Sequence, residues 1–101
     1  MKTLSPNSTA PFSDLIQFRQ QSIRMVGRIV NSRTSNDDLL KLKLRRLYMA
    51  YRYKWTVEGI ARFIVNHKDE LRHLAVKYNK PINDLNQLIN AAYEKIQQAN
   101  T

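Results

Sequence analysis

LLKLKLRRLYMAYRYK, residues 39–54, can be read with two periods, and the choice between them decides the fold. With period two, Leu40 to Arg45 alternates apolar and basic residues like a half-buried strand, and the run YRYKWTV, residues 51–57, has high strand propensity. Paired with MVGRIV, residues 25–30, it would close a hairpin across NSRTSNDD. With the helical period, Leu40, Leu44, Leu47, Tyr51 and Trp55 share one face, and Leu42, Met49 and Tyr53 lie nearly opposite. Ser35 followed three residues later by Asp38 resembles a capping box, a start signal for a helix. The continuous Leu and Tyr face and that cap favour a helix from about Asn36 to Lys54. A helix apolar on two faces belongs at the centre of a bundle, or packs inward on one side and against a partner on the other.

Outward from this stretch the helical period persists. Upstream, Ser13 offers an N-cap with Asp14 in the first turn, predicting a helix to about Ser32. Its apolar arc holds Ile16, Ile23, Val26, Ile29, Val30, Phe18 and Met25, with Arg19 as a charged intruder. Gln17, Gln20, Gln21, Arg24 and Arg28 form the opposite face. Residues 1–12, rich in Ser, Thr, Asn and Pro, read as a flexible polar leader. Downstream, Thr56 caps a run from Val57 to Tyr78 that breaks near Asn66-His67, where Asn66, Asp69 and Glu70 mark a fresh helix start. Asn79-Lys80-Pro81 ends that run, and a last amphipathic helix extends from about Ile82 to Ala99. The expected architecture is all-α, a compact bundle of four to five helices in a single domain over residues 13–101.

Composition narrows the function. The chain has 101 residues, 43% of them hydrophobic, and a formal net charge of +9. Two Gly and three Pro are too few for the turns of a small barrel or sandwich. The absence of Cys excludes disulfide scaffolds, thiolate zinc sites and cysteine nucleophiles. The N-terminal residues lack the apolar core of a secretory signal, and the longest pure apolar runs resemble Phe63-Ile64-Val65, far short of the ~20 residues of a membrane span. A cytoplasmic protein without a membrane partner is the expectation. The acid pairs Asp37-Asp38 and Asp69-Glu70 are adjacent, so on a helix they point about 100° apart and cannot share a site. His67 and His73 lack the i, i+4 spacing of a helical metal site, and no Gly-rich phosphate loop exists. These features point to a non-enzyme with neither metal nor cofactor.

Charge is the strongest signal. Residues 39–54 carry six bases and no acid, and residues 15–36 carry four Arg and no acid. Polyanionic phosphate backbones select such surfaces, because each cation seated on a phosphate releases condensed counterions. Candidate phosphate contacts are Arg24, Arg28, Lys41, Lys43, Arg45, Arg46, Arg52 and Lys54. Tyr48, Tyr51, Tyr53 and Trp55 are interleaved with them and have the ring faces needed to stack on unpaired bases, although their spacing favours the core.

Two stretches have the spacing of a helix-turn-helix unit. One starts at Ala61, turns at Val65-Asn66, anchors through Leu71 and Leu74, and would offer Lys68 and Arg72 to a groove. The other starts at Ala75, turns at Asn79, anchors through Leu85 and Leu88, and would offer Asn83, Asn86, Gln87 and Asn90 to base edges. This third of the chain resembles helix-turn-helix proteins at the level of the motif. The sequence therefore points to a small basic nucleic-acid-binding protein, with duplex DNA favoured over RNA, acting as a transcription regulator or accessory factor. The doubly apolar second helix suggests a homodimer. The rival is an adaptor or inhibitor that docks its basic face on an acidic protein.

Overall fold

A computed structural model describes residues 11–32 and 38–99, with side chains from residue 15 onward in the first segment. It has five helices: α1 Pro11–Val30, α2 Leu39–Tyr51, α3 Val57–Asn66, α4 Lys68–Lys77 and α5 Ile82–Ala99. The protein is all-α. Residues 25–30 and 39–51 are helical, so the competing hairpin is not formed.

Helix ends follow local chemistry, with some shifts from expectation. α1 begins at Pro11, two residues before the expected cap at Ser13, which therefore lies inside the helix. Proline suits a first helical turn, where its missing N–H leaves no donor unpaired. Ser35 falls outside the described residues, and the cap of α2 is Asp38, whose Oδ1 accepts from the Lys41 amide at 3.0 Å. α2 stops at Tyr51, short of Lys54. The Lys54 and Trp55 amides both turn back onto the Tyr51 carbonyl at 2.8 and 3.0 Å, and the extended Thr56 then caps α3 by accepting from the Gly59 amide at 3.0 Å. The break between α3 and α4 falls on a single residue, His67, rather than on a capping Asn66. Its ring Nδ1 lies 2.6 Å from Glu70 Oε1. α4 ends in a Schellman motif: Asn79 is left-handed at φ 57°, the Lys80 amide reaches the Ala75 carbonyl at 2.7 Å, and Pro81 follows.

α3 is the central element, packed against α1, α4 and α5. Its Ile60, Ala61 and Ile64 are fully buried in one core with Val26, Ile29 and Val30 of α1, Leu71, Leu74 and Ala75 of α4, and Leu85, Ile89 and Ala92 of α5. α2 is an edge helix, and the only helix it packs against closely is α1. The two run antiparallel, since Lys41 reaches the Ser32 carbonyl at one end and Arg19 Nε donates to the Trp55 carbonyl, 2.7 Å away, at the other. Arg19, the intruder in the apolar arc, thus fastens α1 to the α2–α3 connection. Leu44 and Tyr48 form the buried face of α2. Its outer face leaves Leu39, Met49 and Tyr53 exposed. Tyr48, Trp55, Phe63 and His67 stack as a column with centroid separations of 6.2, 4.9 and 4.8 Å. Tyr48 and Trp55 belong to the interior as expected, whereas Tyr51 and Tyr53 face solvent.

Candidate nucleic-acid interface

The antiparallel helices α1 and α2 both carry exposed arginines. Arg24 and Arg28 are one turn apart and exposed on α1. Beyond them Asn31 Oδ1 accepts from Arg45 Nε of α2 at 2.9 Å, which ties the two helices at the surface. Arg46 lies beside Arg45, and Lys54 lies past the end of α2, both exposed. None of these five cations has a carboxylate partner among the described residues.

The α4 side is different. Lys43 pairs with Glu70 at 3.0 Å, Lys77 with Asp38 at 2.8 Å, Lys68 with Asp69 at 3.9 Å, and Arg72 with Asp69 at 3.4 Å. Arg72 Nε also donates to Asn86 Oδ1 at 2.9 Å. In α3, Arg62 pairs with Glu58 at 2.8 Å. Carboxylates thus stand beside four bases on the α4 side and pair with none of the five cations above. The lysine bond to Asp38, joined by the Tyr78 hydroxyl and the Lys41 amide, holds that carboxyl far below its ordinary value. The same bond raises Lys77. Glu70 is lowered by His67 first and Lys43 second.

The candidate contacts therefore divide. Arg24, Arg28, Arg45, Arg46 and Lys54 are exposed on α1, on α2 and just past its end, and Arg45 is the one tied across to the other helix, through Asn31. Lys41 is turned inward: it is 5% exposed, and its Nζ donates to the Ser32 carbonyl at 2.7 Å. Such an ammonium closes the C-terminal end of α1, where unpaired carbonyls and the helix dipole favour a cation. Lys43, Lys68 and Arg72 face acids. Arg52 is half-buried, its guanidinium 5.7 Å from the Tyr48 centroid and 4.5 Å from that of Tyr53. Its Nε is buried without a hydrogen-bond partner among the described residues.

Beside the α1–α2 seam, an open groove of about 520 Å³ separates α1 from α5. Arg24 and Arg28 line one wall, and Asp84, Gln87 and Glu94 stand on the other. The two proposed motif registers lie on α3–α4 and α4–α5, and Gln87 of the second stands across the groove from Arg24 and Arg28. The first lacks a turn, because α3 and α4 meet at one residue, and its Lys68 and Arg72 are occupied. The second has a four-residue connection between α4 and α5 with Asn79 left-handed, and its anchor Leu85 is buried. Of its base-reading candidates, Asn86 is held by Arg72, while Asn83, Gln87 and Asn90 are exposed. Sequence reasoning did not single out Asn31, whose amide ties Arg45 to α1.

Among the described residues no helix is long and apolar enough to cross a membrane, and no cluster of His, Asp and Glu is arranged to hold a metal ion. Comparison of the chain with family models, curated proteins and solved structures returns no match.

Proposed function

We propose that this protein binds nucleic acid through the α1–α2 seam, with Arg24, Arg28, Arg45, Arg46 and Lys54 on phosphates, as a small regulator or accessory factor on duplex DNA. One observation carries the reading: these cations stand on adjoining helices without carboxylate partners among the described residues, while Lys43, Lys68, Arg72 and Lys77 on the α4 side each have a carboxylate within 4.0 Å. A phosphate backbone neutralises such a strip, and counterion release makes the affinity fall steeply with salt. Four or five phosphate contacts correspond to a loss of roughly a hundredfold or more between 50 and 200 mM salt. The exposed Leu39 and Met49 on the outer face of α2 support self-association, which would double the strip.

Titrating labelled duplex DNA with the full chain at several salt concentrations tests this, with sedimentation reporting the stoichiometry of the complex. The triple variant Arg24→Ala, Arg28→Ala, Arg46→Ala is expected to lower affinity about tenfold or more and to flatten the salt slope by about three. Lys68→Ala with Arg72→Ala should change little. Absence of binding at low salt would overturn the proposal, as would a larger effect from the Lys68 and Arg72 pair.

A further inference from the structure

We infer that Tyr53 is a stacking seat for an unpaired base, so that duplex carrying a single-stranded extension binds more tightly than the same duplex without one. The inference rests on the nucleic-acid reading above and adds a substrate class to it.

An exposed tyrosine alone means little, since surfaces carry many apolar side chains. Tyr53 differs in how it is held. It lies in the irregular turn between α2 and α3 and is 80% exposed, more than any other large apolar side chain described. The Arg52 guanidinium covers its ring at 4.5 Å from the centroid. That guanidinium also lies 5.7 Å from the centroid of the buried Tyr48, so one cation touches both the exposed ring and a ring of the core. One face of Tyr53 is thereby supported and the rest is open to solvent. The cation–π contact also keeps the ring from collapsing onto the surface.

The surroundings select the ligand. Lys54 follows directly, and Arg46 is exposed about two turns back along α2, which contains no acid. A cationic track ending at a supported aromatic face is the arrangement that single-strand binders use: phosphates follow the charges and a base lies flat on the ring. Every base has a π-face, so the seat tolerates any sequence. In continuous duplex the bases are already stacked on each other and none is available to the ring.

The full chain should be titrated with three labelled probes at one salt concentration: a blunt duplex, that duplex with a short thymine extension, and the same extension built from abasic nucleotides. The two extended probes carry the same phosphates and differ only in the bases. The thymine extension is expected to bind roughly 5- to 100-fold tighter than the abasic one. Tyr53→Ala should erase that difference without altering affinity for blunt duplex, and Tyr53→Phe should keep it. Equal binding of the two extensions overturns the stacking seat while leaving the charged seam intact, and so does a Tyr53→Ala variant that weakens all three probes alike. Failure of every probe to bind at low salt overturns both readings.

Discussion

At Gly27 the backbone of α1 passes directly beneath Tyr48. A Cβ there would stand 2.6 Å from the tyrosine hydroxyl and 3.0 Å from the ring carbon bearing it. Because Tyr48 is 6% exposed and part of the aromatic column, the ring cannot simply swing away. Overpacking of this kind costs about 1–3 kcal/mol. Alanine recovers about 1 kcal/mol of helix propensity over glycine, leaving Gly27→Ala destabilising by roughly 1 kcal/mol. In a Tyr48→Phe background the closest atom is gone, so the penalty of Gly27→Ala should shrink. A double-mutant cycle by urea denaturation measures this, and strictly additive penalties would contradict the close approach. The same scale shows where reading the chain fell short. Lys41, Leu44 and Tyr48 are spaced three and four apart, so Lys41 shares a stripe with two core residues. That spacing was visible. What it faces, the carbonyl of Ser32, depends on how two helices pack and leaves no local trace.

Among the elements, α2 starts at a carboxylate with several partners. Asp38 caps it, and the same carboxylate receives Lys77 and Tyr78 from the end of α4. Its folded pKa is depressed below the ordinary 3.8, with the Lys77 bond as the first cause. A depressed carboxylate contributes stability above its unfolded pKa, and that contribution is lost as pH falls through the folded value. Glu70 shifts in the same direction. Melting temperature should therefore drop as pH falls from about 5 towards 2. Asp38→Asn should be less stable than the parent by about 1–3 kcal/mol at neutral pH, with the gap closing in acid. A gap that does not change with pH would refute this role. Element boundaries were legible wherever one side chain made the signal, as with the Thr56 cap and the Asn79-Lys80-Pro81 stop. They were misplaced at Ser13 and at the end of α2, where the position of the end depends on backbone bonds or on a proline that tolerates the first turn.

Over the whole molecule, the net charge of +9 is less informative than its arrangement. Sequence order gathered most of the surplus in residues 39–54, but pairing decides which of those bases remain available. The acid beside Lys43 comes from another helix, while Asp69 stands next to Lys68 in sequence and one turn from Arg72, and only these local neighbours could be read from spacing. The all-α fold was legible because five separate apolar stripes agree with one period. The seam was not, because it arises from α1 and α2 lying antiparallel.

That edge placement of α2 has a consequence for how the protein breathes. Helix contacts hold it closely on one side only, and its links to α4 are the ion pairs Lys43–Glu70 and Lys77–Asp38 and the Tyr78 hydrogen bond to Asp38. Detaching α2 would uncover Leu44 and Tyr48 and open the contact from Tyr48 through Trp55 to Phe63, while the packing of α3 on α5 would remain. α2 is thus a local unfolding unit, cheaper to open than the rest. Its amides should exchange with deuterium well before those of α3, and equal protection of the two helices would disprove it. The helix that presents much of the positive charge is then also the one best able to adjust its lie, and an occupied seam should slow its exchange first.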